Sequence, residues 1–216
     1  MGLLIHTKLR PPHLREGHLP RPHLLAQLDR GLAAGLILIS APAGYGKTSL
    51  AVDWLAQRPR LTAAWVSLGE SDNDLDVFLR YLTTAIDNAF PQERPCANTQ
   101  ALLDAPQPPP TETIAGTLIN DLAHLPRPLL LVLDDYHLIT HPTIRQVMAT
   151  LVRHLPDVLR LRLITRMDLN LDRISTETGI PTPPETDTRD FSVLRGSILE
   201  LLPSATGYQL EFLKNR

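Results

Sequence analysis

The chain has 216 residues, a length that holds one domain or at most two, and 43% of them are hydrophobic against 20% charged, the proportions of a globular protein. Its 21 Lys and Arg against 23 Asp and Glu leave a formal charge of -2, which excludes a polybasic nucleic-acid coat. The single cysteine, Cys96, excludes an internal disulfide and a cysteine-based zinc site, and so fits a reducing compartment.

The opening residues, MGLLIHTKLR, have too short an apolar run for a signal peptide, and position 6 is His rather than the Ser or Thr of a myristoylation pattern. No stretch is long and apolar enough to span a bilayer, so the expectation is a soluble cytoplasmic protein without membrane partners. Residues 1–24 carry Pro11, Pro12, Pro20 and Pro22 and are expected to be irregular. Leu24, Leu25, Leu28 and Leu32 fall at helical spacing, with Gly35 ending that helix. Leu36 to Ile39 is a short apolar run of the kind that forms a buried parallel strand. A glycine-bearing turn from Ser40 to Gly46 leads into a helix over Lys47 to Gln57, stopped by Pro59.

Ala63 to Leu68 is the second expected strand. Ser71, Asp72 and Asp74 can cap the helix after it, whose stripe is Leu75, Phe78, Leu79, Leu82 and Ile86. Residues 91–110 read as a proline-rich surface connection. Ile114, Leu118 and Leu122 mark another helix, and LLLVL from Leu129 to Leu133 is the clearest strand. Pro142 suits the first turn of a helix with Ile144, Val147, Met148 and Leu151 inward, and Leu161 to Thr165 is the fourth strand. Strands alternating with helices imply an α/β fold, a parallel sheet with helices on both faces. Beyond Asp172 the periodicity fades. Residues 175–190 read as loop, and Phe191 to Leu202 as either a short strand or a helix.

Ala41-Pro42-Ala43-Gly44-Tyr45-Gly46-Lys47-Thr48 matches a phosphate-binding loop, with Ala41 at the position where glycine is usual. Gly44 and Gly46 permit the backbone angles and the close approach that a phosphate needs. The helix starting near Lys47 turns its positive end toward the same phosphates. Lys47 would reach the β- and γ-phosphates, and Thr48 would place its hydroxyl on Mg²⁺. Ala43, Tyr45 and Ser49 complete the loop's binding set, although Tyr45, at the tip, has no phosphate role of its own.

The second site is Asp134-Asp135, at the end of LLLVL, the sheet edge where parallel folds bind ligands. Asp134 would hold Mg²⁺ directly or through its waters, and Asp135 would polarise the attacking water. The third is Thr165-Arg166, where Arg166 would sense the γ-phosphate, the plainer alternative being a solvated loop arginine among Arg160 and Arg162. The histidines are scattered and read as surface groups, Cys96 as non-catalytic, and Trp54 and Trp65 as core.

Thr7-Lys8-Leu9-Arg10-Pro11-Pro12, Arg21-Pro22, SAPAGYGKTSL, AWVSLGESDND, LVLDDYHLIT and LITR occur in one order. That order resembles the ATPase module of MalT-type regulators of the LuxR family, a branch of the AAA-like signal-transduction ATPases, from about Thr7 to Leu171. The resemblance implies a P-loop ATPase domain over 25–171 after an irregular segment 1–24, with a divergent tail at 172–216. It implies ATP as ligand and a sheet in the order five-one-four-three-two. It also implies self-association on activation, and places Arg21 near the adenine. The family ordinarily has Ala at position 41, whereas Gly69 replaces a common acid or amide. The family pattern ceases after Leu171, where a fifth strand is due, so the fold is expected to be incomplete on its C-terminal side. Phe191 to Leu194 is the substitute strand that would cover the otherwise open edge of the first strand.

The family's sensor and helix-turn-helix regions are not in this chain, so DNA is expected as an indirect partner only. Three functions follow: an ATP-binding switch with slow hydrolysis, a degenerate remnant without catalysis, and, least favoured, an autonomous enzyme such as a small-molecule kinase.

Overall fold

The computed structural model describes residues 4–14, 17–166 and 207–211. In chain order these form α1 (Pro22–Arg30), β1 (Leu36–Ser40), α2 (Lys47–Ala56), β2 (Ala63–Ser67), α3 (Leu75–Ala89), α4 (Ala97–Leu103), α5 (Thr111–Ala123), β3 (Leu129–Asp134), α6 (Pro142–Arg153), β4 (Leu159–Thr165) and β5 (Gly207–Glu211). Short 3-10 turns lie at His6–Leu9, Glu70–Asp72 and Tyr136–Leu138. Among the described residues no helix is long and apolar enough to cross a membrane.

All strand pairings are parallel, and the order β2-β3-β4-β1-β5 is the five-one-four-three-two order that the resemblance implied. Side chains alternate across the sheet, as a two-residue period requires. Leu36, Ala64, Val66, Leu129, Leu131, Leu133, Leu159 and Leu161 face one way, into a core with α3, α5 and α6. Ile37, Ile39, Trp65, Leu130, Val132 and Ile164 face the other, against α1 and α2. Both faces of β1 to β4 are covered, so those strands are mostly apolar, and β3 is buried at every position.

The structure departs from the sequence reading in four places. Helix α1 starts at Pro22, two residues before the expected apolar stripe, because a proline fits the first helical position, and it is closed by Gly31 rather than by Gly35. Residues 91–110 are not plain connection: α4 lies within them. The carboxylate of Asp121 on α5 accepts from the Thr99 amide at 2.9 Å and hydroxyl at 2.7 Å and from Asn98 at 2.9 Å, while Asp87 accepts from the Cys96 amide at 2.9 Å. A seven-residue helix is too short to stand alone, and these tertiary bonds hold it. Strand β4 begins at Leu159, two residues before the expected Leu161, and Arg162 within it is buried, only 2% exposed. Its guanidinium donates to the carbonyls of Gly31, Leu32 and Ala34 at 3.1–3.3 Å, just beyond the C-terminus of α1, where a cation is favoured. Burial lowers its pKa to about 10, with Arg160 adding to the effect.

The fourth departure concerns the edge of β1. It is paired, residue for residue from Leu36↔Gly207 to Ser40↔Glu211, by β5. The substitute strand expected at Phe191 to Leu194 lies outside the described residues, as does most of the tail.

Candidate functional site

The C-terminal ends of β1, β3 and β4 converge on one edge of the sheet. Ser40 is in register with Thr165, and Asp134 closes β3 beside Ser67 of β2. The glycine loop leaves β1 at this edge and returns as α2. Gly44 has φ 82 and Gly46 φ 73, left-handed angles that an L side chain adopts only with strain. Gly46 is also the N-cap of α2, so the loop's backbone turns inward where the helix dipole is positive.

The Lys47 ammonium lies over the loop and donates to the carbonyls of Ala41 at 2.8 Å and Pro42 at 3.0 Å. Lys47 is 7% exposed, and burial is the main cause lowering its pKa. Asp135 and Asp134 oppose that shift, whereas Arg166 adds to it. Lys47 therefore senses the charges of both other sequence-derived sites.

Thr48 donates its hydroxyl to Oδ1 of Asp134 at 3.0 Å, and the Asp135 amide donates to the same oxygen at 3.0 Å. Asp134 is 4% exposed, and its carboxyl is pushed up to about 6 by burial first and by Asp135 second. A buried carboxylate with a raised pKa is short of positive charge. The donor set around it is a hydroxyl and carboxylate oxygens, which suits Mg²⁺. Thr48 and Asp134 thus fit the metal-holding pair expected of them.

Asp135 takes a left-handed backbone angle, φ 56, and begins the turn Tyr136–Leu138. Its side chain is 45% exposed, 3.8 Å from Nδ1 of His137. Arg166 is exposed at the end of β4, and Thr165 beside it is fully buried and donates to the Arg166 carbonyl at 3.3 Å. Ala43 and Gly44 are exposed on the loop, and Ser49 is half-buried in the first turn of α2.

Tyr45 is not a free tip: its ring packs on the core that holds α1 and α2. Its carbonyl accepts from Arg21 at 2.7 Å, and a Cβ on Gly46 would stand 3.4 Å from the same guanidinium. Arg21 is the N-cap of α1, so that helix reaches the loop at one end and Arg162 at the other. His18, read as a surface histidine, instead lies 3.1 Å from the buried carboxylate of Asp53 on α2.

Two contributors escaped the sequence reading. Arg162 had a visible signal, since LRLRLIT places it on the α1-facing side with Ile164. Asn73 had none beyond its place among the capping acids. Its amide nitrogen donates to the Leu138 carbonyl at 2.6 Å, and its amide oxygen accepts from the Thr140 and His141 amides at 2.7 and 3.1 Å.

No protein-family model matches the chain. Individual relatives do match. The HTH-type transcriptional regulator MalT of Cronobacter sakazakii (strain ATCC BAA-894) is 40% identical over 164 residues, which is 76% of this chain and 18% of that protein. The regulator of the same name from Klebsiella pneumoniae (strain 342) is 38% identical over the same length and coverage. The resemblance to MalT-type regulators therefore holds across most of the chain, although the chain spans only 18% of the length of these relatives. Among solved structures, Cdc6p from Pyrobaculum aerophilum superposes with a TM-score of 0.52 at 16% identity, covering 79% of this chain and 45% of that one. That likeness concerns the fold alone. The chain is a P-loop α/β domain of the nucleotide-binding kind.

Proposed function

We propose that this domain is an ATP-binding switch module that uses Mg²⁺ and hydrolyses ATP slowly, working within a transcriptional regulator similar to MalT. The observation that carries the reading is one hydrogen bond, Thr48 to Asp134 at 3.0 Å, which joins the phosphate loop to the acid of β3. The triphosphate would lie along the loop, with amides from Ala43 to Ser49 turned to its oxygens. Lys47 would exchange the carbonyls of Ala41 and Pro42 for β- and γ-phosphate oxygens. Thr48 and Asp134 would hold Mg²⁺, which supplies charge neutralisation at those phosphates when bound. Asp135 would orient and polarise the attacking water. Arg166 would meet the γ-phosphate from β4, and Arg21 would border the base while holding the loop through Tyr45.

Slow turnover follows from charge. Phosphoryl transfer often needs stabilisation beyond Lys47, Mg²⁺ and a γ-phosphate contact such as that of Arg166, commonly an arginine from a second copy, so self-association belongs to the same proposal. A cytoplasmic location and indirect action on DNA, through the rest of a larger protein, complete it. The kinase alternative needs a mobile acceptor lid. Residues 91–110 instead pack through Cys96 and Leu103 into the core on the sheet face opposite α2, which disfavours it. The remnant reading rested on a truncated chain whose tail does not complete the fold, and the pairing of β1 with β5 speaks against the second part of that argument.

Calorimetry with Mg²⁺ on the full chain and on Lys47→Ala tests the proposal. Micromolar ATP binding, lost in the variant, is the expected result, with turnover below about one per second. A folded wild type that binds no ATP refutes the switch, and faster turnover by the monomer refutes the slow hydrolysis.

A further inference from the structure

The seven residues from Asp135 to His141 link the site acids to α6, and one side chain from elsewhere in the chain holds three of their backbone groups. Asn73 donates to the Leu138 carbonyl at 2.6 Å and accepts from the Thr140 and His141 amides at 2.7 and 3.1 Å. A side-chain amide is suited to this, because it carries a donor and an acceptor in one plane. Within the segment, Leu138 and Ile139 donate back to the carbonyls of Asp135 and Tyr136 at 3.0 Å, so restraint at Leu138 is passed to Asp135.

Asn73 is itself held firmly. It follows the turn Glu70–Asp72, in which Asp72 accepts from the Gly69 amide at 2.8 Å and pairs with Lys8 at 2.6 Å. The Leu68 amide extends β2 by donating to the Asp134 carbonyl at 3.0 Å. The anchor and the acids therefore share one rigid sheet edge. Asp135 needs such restraint, because its left-handed backbone is a strained conformation and its carboxylate is 45% exposed.

We infer that Asn73 is a positioning residue for Asp135: it pins the loop after β3 and thereby sets where that carboxylate points. The inference rests on the nucleotide reading above. It separates binding from chemistry, because Lys47, Thr48 and the glycine loop reach the site from the β1 and α2 side and share no hydrogen bond with Asn73. Loss of Asn73 would leave ATP bound and its reacting water misdirected.

The test combines single-turnover ATP hydrolysis with calorimetric ATP affinity, on the full chain and on Asn73→Ala, Asn73→Asp, Asp135→Asn and the double variant Asn73→Ala with Asp135→Asn. Asn73→Ala is expected to slow hydrolysis by about tenfold or more, with affinity within about threefold of wild type. Asn73→Asp keeps the acceptor for Thr140 and His141 but loses the donor, and should fall between; it carries the test if the alanine variant does not fold. The double variant should be no slower than Asp135→Asn, since both changes act through one carboxylate. Wild-type rates in the Asn73 variants, multiplicative losses in the double variant, or equal losses of affinity and rate overturn the inference. A wild type that binds ATP without any hydrolysis overturns it too, leaving the binding reading intact. A wild type that binds no ATP overturns both.

Discussion

Asp134→Asn should make the nucleotide-free protein more stable while removing its use of Mg²⁺. Both hydrogen bonds to this carboxylate, from the Thr48 hydroxyl and the Asp135 amide, reach the same oxygen, Oδ1. An asparagine keeps that oxygen and both bonds. What it removes is the charge, which burial and Asp135 make unfavourable in the folded state, lifting the carboxyl from 3.8 to about 6. A rise of about two pH units corresponds to a folding penalty on the order of 2–3 kcal/mol once the group ionises. Because the folded pKa is the higher one, the folded chain holds more protons than the unfolded chain between the two values. Stability therefore falls as pH rises from about 4 to about 6, and the full penalty stands above that window. Urea denaturation without nucleotide or Mg²⁺ should show Asp134→Asn ahead of wild type at about pH 7.5, with the gap closing toward about pH 4. With ATP and Mg²⁺ the order should reverse, because ligand binding then stabilises only the wild type. A variant less stable than wild type at both pH values, or a gain that does not change with pH, would refute the reasoning.

Two other substitutions probe the loop and the far face. Gly46→Ala forces a Cβ onto a left-handed residue, a strain of about 1–2 kcal/mol, and places it 3.4 Å from Arg21. It should weaken ATP binding by about tenfold or more, measured calorimetrically, and unchanged affinity would mean that the loop's shape does not hold phosphate. Asp121→Ala leaves the Thr99 amide and hydroxyl and the Asn98 amide without their acceptor. It should cost about 3 kcal/mol or more in urea denaturation, with amide exchange increased across α4. Its ATP affinity should match wild type, because α4 packs on the opposite sheet face from α2.

Strands β1 to β4 were legible because they are buried on both faces. Runs such as LLLVL have no competing reading as surface helices, and these four strands fall within two residues of the expected ones. The phosphate loop and Asp134-Asp135 were legible because their residue types follow from backbone angles and charge, which local sequence records. Features held by distant partners were not. Helix α4 depends on Asp121, 22 residues beyond Thr99. Asn73 acts on a loop 65–68 residues away, and nothing in its neighbourhood announces that. The face of Arg162 was legible from the alternation in LRLRLIT, but its burial was not, because Arg160 shares that face and only the carbonyls beyond α1 distinguish the two. The strand over the β1 edge lay in GYQLE, a segment without the unbroken apolar run that marked the others.

The left-handed backbone at Asp135 also bears on how such a protein evolves. Apart from glycine, the residues that tolerate this conformation best are asparagine and aspartate. Gly and Asn are each one nucleotide away from Asp in the genetic code. The backbone therefore admits, at a single mutational step, two replacements that keep the fold and discard the acid. Under the role proposed for Asp135, its acid is guarded by selection on activity and not by selection on folding. A lineage released from that selection can lose the carboxylate in one step while the backbone conformation is kept.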